Sequence, residues 1–439
     1  MNEQNDMNRR EFFKEAGTLG AAGLALSLFP WLQSCSAPAK KEIIGEKARL
    51  AIIGTGGRGL FHLNNLLDMP EAEVVALCDI YRPNLNKAAE LAPSAKSYDD
   101  YRKLLENPDI KGVIIATPLN SHAPITIDAL NAGKHVFCEK AMAYTMDDCK
   151  RMYDTWKTSG RVMIIGQQRL YDPKYIKAME MIHSGEAGDV VNVRNYWFRN
   201  NNWRRETPDP SLERQINWRL YREYSHGLMT EFACHQLQNG TWAMRLLPEK
   251  VMGHGSIVYW KDGREVFDNV SVIYSYPNGV NMTFESLISN KRFGMGEQIL
   301  CSKGTFELAQ GRYYSEDWKP RPRSGIRQLI GQIEDGVMDN SVFAGTSWSA
   351  ETASADPGVP VLPNVVAGDG SSMIGAADDG SVETMQAFCH GVITGKQPQN
   401  VVEESYYASI FSLLGDEAML RGEILTLPEE YRIDYLSED

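Results

Sequence analysis

Three side chains able to move a proton or steady an anion stand out: Lys140, just past the apolar run His135-Val-Phe-Cys138, and the pair Glu231 and His235, four residues apart. Oxidising a secondary alcohol needs a base for the hydroxyl proton and a positive group to stabilise the alkoxide. His235 has a suitable intrinsic pKa and Lys140 supplies charge, while Glu231, one helical turn before His235, is placed to orient or tune either. Glu231 and His235 also form a two-ligand metal face, but no clear third ligand accompanies them, so no metal is expected. Ahead of them, Leu50-Ala-Ile-Ile runs into Gly54-Thr55-Gly56-Gly57-Arg58-Gly59, a G-x-G-x-x-G turn between strand and helix. Gly54 permits the tight turn, Gly56 lets backbone amides approach a pyrophosphate, and Gly59 allows close helix–strand packing. Asp79 ends a second apolar run twenty positions past Gly59. There a carboxylate accepts from a ribose diol and repels a 2′-phosphate, so NAD is favoured over NADP, although Arg82 stands close enough to pair with a phosphate.

The elements that must position these groups follow from the apolar rhythm. Candidate strands Leu50–Ile53, Val74–Leu77, Gly112–Ala116, His135–Cys138 and Arg161–Ile165 alternate with helical segments Leu60–Leu67, Asn84–Leu91, Tyr101–Glu106, Ile125–Ala132 and Met146–Ser159. That alternation predicts a Rossmann-type doubly wound parallel sheet over residues 47–168. Past Val190 the pattern changes to longer strands, Val190–Arg199, Glu249–Tyr259, Val270–Tyr276 and Val280–Leu287, joined by turns such as Pro277-Asn-Gly279. Residues 169–439 therefore read as an α/β domain with a largely antiparallel open sheet. Its C-terminal helices, Val382–Gly395 and Glu403–Arg421, are free to return to the first domain. Ser347 to Gly380, rich in Gly, Ala, Ser, Asp and Pro, reads as a long loop, equally a lid or a disordered stretch.

Further candidates fall at the C-terminal edge of the parallel sheet, where ligands of open sheets collect. Thr117, Pro118, Asn120 and His122 follow one strand, Glu139 and Lys140 another, and Gln168 and Arg169 a third. Between the domains, Trp203, Arg204, Trp218, Arg219, Tyr224 and His226 interleave aromatic and hydrogen-bonding groups. A pyranose offers an apolar face to stack and hydroxyls to bond, so a carbohydrate or glycoside is the expected partner.

In order and spacing, the glycine fingerprint, Thr117-Pro118, Ala132-Gly-Lys-His-Val-Phe-Cys-Glu139-Lys140, Gln168-Arg169 and the Glu231-x-x-x-His235 helix resemble the Gfo/Idh/MocA family from about Lys47 onward. The resemblance implies a Rossmann domain followed by an open-sheet substrate domain, NAD(P)-dependent redox chemistry on sugars and cyclic polyols, and a homo-oligomer. It maps the family's catalytic lysine, helix carboxylate and histidine onto Lys140, Glu231 and His235. Ala141 replaces the family's proline, which implies a less rigid loop after Lys140. Glu231 stands for an aspartate, and Gln238 for a second carboxylate. The leading reading is a sugar or glycoside dehydrogenase acting at C3 to give a 3-keto glycoside. Redox-neutral glycoside hydrolysis is the alternative, because Tyr224-Ser-His226-Gly-Leu is similar to, though shorter than, a motif of glycoside hydrolase family 109. A non-catalytic sugar-binding lipoprotein stands third.

The chain has 439 residues and a formal charge of −12, which argues against nucleic acid because that partner needs a basic stripe. Its seven cysteines include no C-x-x-C pair. Asn8-Arg9-Arg10-Glu-Phe-Phe-Lys14 resembles a twin-arginine export motif, an apolar run follows, and Leu32-Gln-Ser-Cys35 resembles a lipobox. Residues 1–35 are thus expected to be a signal and 36–46 a tether, leaving an exported periplasmic protein held to the membrane only by lipid on Cys35. Outside the cytosol its NAD would have to be tightly bound.

Overall fold

The computed structural model describes residues 45–316, 371–372 and 379–434; the leader, most of the tether and most of the Ser347–Gly380 loop lie outside these. Six strands, β1 (Ala48–Ile53), β2 (Ala72–Cys78), β3 (Lys96–Tyr98), β4 (Gly112–Ile115), β5 (His135–Cys138) and β6 (Met163–Ile165), form a parallel sheet in the order β3-β2-β1-β4-β5-β6. Strands buried on both faces read as continuous apolar runs, which is why Ala-Ile-Ile and Gly-Val-Ile-Ile are β1 and β4. The chain order reverses between β1 and β4, so their C-terminal ends open a crevice at the switch point. Gly54 and Ala116 close tightly beneath it: a Cβ on Gly54 would meet the Ala116 carbonyl oxygen at 2.7 Å.

Met385, Phe388, Cys389 and Val392 of the helix Ser381–Thr394 pack into one core with Leu50, Ile52, Phe137 and Ile164. Late in the sequence the chain thus returns to seal its first sheet, and each large buried side chain there contributes about 1.5–3 kcal/mol. The second sheet has eight strands in the order β14-β13-β12-β11-β7-β10-β9-β8. These are β7 (Val190–Phe198), β8 (Lys250–Ser256), β9 (Asn269–Ser275), β10 (Asn281–Leu287), β11 (Met295–Cys301), β12 (Gly304–Glu307), β13 (Arg312–Ser315) and β14 (Ser371–Ser372). Only β7 and β10 pair in parallel; the other neighbours are antiparallel. One sheet face is covered by helices Cys234–Met244 and Val401–Arg421, and Tyr407 and Phe411 of the second helix join Tyr274 of β9 in a continuous core.

Two differences from the sequence reading have simple causes. β3 has the sequence Lys-Ser-Tyr and little burial, so no apolar run betrays it. β12 and β13 have only four residues each, and β11 and β12 carry glycine at Gly296 and Gly304, where the rings of Tyr196 and Tyr313 occupy the space a Cβ would take. No helix among the described residues is long and apolar enough to cross a membrane. The six described cysteines are buried and unpaired.

His135 makes the fold acid-sensitive. Its Nδ1 accepts the Val162 N–H at 2.9 Å, which requires a neutral ring, and burial with Arg161 nearby pushes its pKa down to about 4. Between that value and 6.5 the unfolded chain binds a proton the folded chain refuses, so stability falls as pH falls through this window. We expect a lower melting temperature at pH 5 than at pH 7, with about 1–2 kcal/mol from this group after discounting its partial exposure. A His135→Gln protein whose melting temperature changes over that interval as much as wild type would exclude this origin.

Candidate active site

The helix Gly57–Leu67 begins in the glycine loop, and no side chain caps its first turn. Its free N–H groups face the crevice, the arrangement that holds an anion. A Cβ on Gly59 would lie 1.9 Å from the Gly54 carbonyl oxygen, so the helix start touches the loop backbone. At Gly57 a Cβ would meet nothing within 4 Å, which leaves room above the loop. These features fit a dinucleotide pyrophosphate. Asp79 is already engaged: Oδ2 accepts the Thr55 N–H at 2.7 Å and the Thr55 hydroxyl at 3.1 Å, and Oδ1 accepts the Tyr81 N–H at 2.8 Å. Two carboxylate oxygens offer about four acceptor sites, so one remains for a ribose hydroxyl.

From this loop a cleft of about 760 Å³ runs to the second domain. Of the cofactor candidates, Gly54, Gly56, Gly57, Arg58, Asp79, Thr117, Pro118, His122, Glu139, Lys140 and Gln168 line it. Glu231, His235, Trp218 and Arg219 line its far end. Lys140 extends from the loop after β5 and donates from Nζ to the carbonyl oxygens of Thr230, at 3.3 Å, and Glu231, at 3.1 Å. Those carbonyls belong to a π-helical turn, Met229–Ala233, that precedes the helix Cys234–Met244. Such turns often mark functional sites. The simple helical face expected for Glu231 and His235 is thus a widened turn, yet both still reach the cleft.

The Glu231 carboxylate accepts from Arg219 Nε at 2.7 Å and lies 4.0 Å from Lys140 Nζ. Burial would raise its pKa, but Arg219 and Lys140 outweigh that and hold it below the ordinary value. Arg219 also lies 4.2 Å over the Trp218 ring, giving the cleft a cationic aromatic wall. His235 is buried, with Nδ1 unpartnered, and desolvation together with Arg169 and Lys140 lowers its pKa well below the usual histidine value. It is therefore a neutral imidazole at pH 7. His122 bridges two backbone oxygens, Ala141 O at 2.9 Å and Thr117 O at 3.0 Å.

The loop after Lys140 is more firmly held than the replacement of proline by Ala141 implied. Ala141 is buried against Leu119 and Cys234, and the Met142 N–H donates to Ser409 Oγ at 2.8 Å. Packing supplies what the missing ring would have supplied.

Several expected residues serve elsewhere. Thr55 is buried behind the loop, and Gly59 acts by packing. Asn120 is not among the cleft-lining residues. Arg82 faces solvent at 3.7 Å from Asp99. Arg169 turns away within the 3₁₀ turn Gln168–Tyr171 and lies 2.8 Å from Glu297, angled off a hydrogen bond, beside Tyr175. Trp203 packs edge-on against Phe232, while Arg204 binds Asp262 and Glu213, so Arg205, one residue on, reaches the cleft instead. Tyr224 does not line the cleft, and His226 is held between Asp416 Oδ2, at 2.8 Å, and the Tyr144 carbonyl, at 2.9 Å. The sequence reading missed Asp99, Asp100 and Arg102, which follow the overlooked β3 and line the nucleotide end. The sequence signal for them was Asp100, which caps the helix Tyr101–Leu105 by accepting the Arg102 N–H.

Comparison with known proteins agrees with this geometry. The profile described as "Oxidoreductase family, NAD-binding Rossmann fold" matches residues 48–167, and the "GFO/IDH/MocA C-terminal domain" matches residues 175–307. Inositol 2-dehydrogenase of Salmonella typhimurium is 39% identical over 153 residues, 34% of this chain and 46% of that protein. A glycosyl hydrolase family 109 protein of Stenotrophomonas maltophilia is 33% identical over 199 residues, 43% of this chain and 41% of that protein. The chain spans about half the length of the curated relatives it matches. Among solved structures, levoglucosan dehydrogenase in complex with NADH and levoglucosan superposes with a TM-score of 0.66 at 19% identity, over 88% of this chain and 100% of that one. The aldose–aldose oxidoreductase of Caulobacter crescentus gives a TM-score of 0.64 at 20% identity, over 87% and 100%. With both of its domains matched to one family, the chain belongs to the Gfo/Idh/MocA oxidoreductases.

Proposed function

We propose that this protein is an NAD-dependent oxidoreductase acting on a secondary hydroxyl of a sugar or glycoside, with C3 oxidation to a 3-keto glycoside as the specific reaction. The single observation that carries it is the unbroken cleft from the glycine loop to Lys140, Glu231 and His235. A bound nicotinamide would supply the electron acceptor. The protein's own groups do the rest. Neutral His235 takes the hydroxyl proton, Lys140 stabilises the alkoxide, Glu231 holds both cations, and Trp218 with Arg219 stacks and bonds the sugar. Because His235 is held neutral well below pH 6.5, the acid limb of kcat/KM is expected below that value; a limb centred above it would reject His235 as the base.

NAD is preferred over NADP because the three carboxylates of Asp79, Asp99 and Asp100 outnumber the one guanidinium of Arg102 at the nucleotide end and would repel a 2′-phosphate. Asp79→Ser is expected to weaken NAD at least tenfold while NADP changes little, since a hydrogen bond to a charged group contributes about 1.5–3 kcal/mol. Equal weakening of both nucleotides by titration would count against that preference.

Redox-neutral hydrolysis is the second reading, favoured by the family 109 relatives. It ranks below oxidation because His226, in the segment similar to that family's motif, is occupied by Asp416 and Tyr144 away from the cleft. Incubating the protein and NAD with a glycoside panel separates the readings: keto-sugar with reduced nucleotide means dehydrogenase, and free aglycone without net reduction means hydrolase.

The N-terminal motifs support export and a lipid anchor on Cys35, with NAD retained tightly and a homo-oligomeric assembly. Labelled palmitate should mark the wild type and not Cys35→Ser; equal labelling would refute the anchor.

A further inference from the structure

His62 has no place in the reaction derived above, yet it is the one histidine buried between the glycine loop and the lysine-bearing loop. It lies on the helix Gly57–Leu67, is 1% exposed, and is not among the residues lining the cleft. Its Nε2 is 2.7 Å from Glu139 Oε1, its ring packs edge-on against Phe137, and its Nδ1 is buried without a partner. The same Glu139 oxygen accepts from Arg58 Nε at 2.6 Å, and Glu139 Oε2 is 3.2 Å from the backbone N–H of Lys140. Behind the carboxylate is Gly166, where a Cβ would press on it at 3.2 Å, so Glu139 has little room to turn. Of the three charged or polar members, Arg58 is the most open and lines the cleft above the loop.

We propose that Glu139 and His62 are positioning residues that couple the dinucleotide loop to Lys140, with Arg58 shared between Glu139 and the phosphates. This rests on the oxidoreductase reading. The physics is a competition. Glu139 is ionised, because Arg58 and His62 outweigh the burial that would raise its pKa. It draws Arg58 down from the cleft, and a pyrophosphate above the loop draws the same guanidinium up. His62 then keeps Glu139 in register with the Lys140 backbone when Arg58 is shared. Coupling is reciprocal: what loosens Arg58 from Glu139 favours the nucleotide and disturbs Lys140.

The test uses full-length protein with Glu139→Gln, His62→Leu and His62→Gln. Glu139→Gln should bind NADH more tightly and yet turn over more slowly, each by about 5- to 100-fold, the usual range of such coupling. His62→Leu should slow turnover with NADH affinity within about twofold of wild type, and His62→Gln, which keeps a donor toward Glu139, should restore it. Labelling of NADH-saturated protein by an amine-reactive reagent, read peptide by peptide, should accelerate at Lys140 in His62→Leu relative to wild type and not at other lysines. Weaker NADH binding by Glu139→Gln, or unchanged Lys140 labelling in His62→Leu, would overturn the proposal. The affinity and labelling arms need no sugar, so failure to find a sugar substrate overturns the functional reading alone.

Discussion

Replacing Lys140 with alanine is expected to lower kcat by about 10²–10³, the loss typical of removing one preorganised stabiliser of a developing oxyanion, while NADH binding stays near wild type. The split follows from where the side chain reaches. Lys140 leaves the cofactor sheet at the end of β5 and spends its ammonium on the carbonyls of Thr230 and Glu231, at the far end of the cleft from Asp79. Removing it takes positive charge from the sugar end and leaves the glycine loop untouched. It also removes one of the two cations that keep the buried Glu231 ionised, leaving Arg219 alone at 2.7 Å. Fluorescence titration with NADH and steady-state kinetics on the same preparation check both halves. Full turnover in Lys140→Ala would exclude it from catalysis, and lost NADH affinity would place it in the cofactor site instead.

Gly59→Ala should have the opposite signature: nucleotide binding collapses, and turnover with it. One added methyl would stand 1.9 Å from the Gly54 carbonyl oxygen, a backbone atom at the tightest point of the switch crevice. Relief requires the helix start to lift from the loop, and Gly54 cannot follow, because it is pinned against Ala116 and has φ +89°. Overpacking of this kind costs about 1–3 kcal/mol of stability, and it displaces the amides that would hold the pyrophosphate. Gly57→Ala meets no neighbour within 4 Å and is the matched control for stability. Calorimetric NADH titration of the two variants should show strong loss in the first and a folded protein in both. Wild-type affinity in Gly59→Ala would mean that the loop is not where the nucleotide binds.

The parts of this site legible in the sequence were those carried by strands. β1, β4 and β5 announce themselves as apolar runs, so the residues at their ends, Gly54, Thr117 and Lys140, were found where the cleft lies. Where a residue's direction depends on a turn, the sequence failed. Gln168 and Arg169 are adjacent, yet the 3₁₀ turn sends one to the cleft and the other under the second sheet. Arg204 and Arg205 differ in the same way, because Asp262, 58 residues later, claims the first. His226 looked like a sugar ligand until Asp416, 190 residues away, supplied its partner. His62 went unnoticed because Leu60-Phe61-His62-Leu63 reads as a core-facing helix; only the fold brings Glu139 to it, from 77 residues away.

In the proposed reaction a sugar C–H bond gives its hydrogen to nicotinamide in this cleft, with His235 and Lys140 serving the adjoining hydroxyl. A single turnover with a glycoside deuterated at C3, followed by isolation of nucleotide and sugar, tests it most directly. Deuterium is expected on the reduced nicotinamide ring, with a 3-keto glycoside beside it. Deuterium that stays on the sugar, with no reduced nucleotide formed, would contradict it.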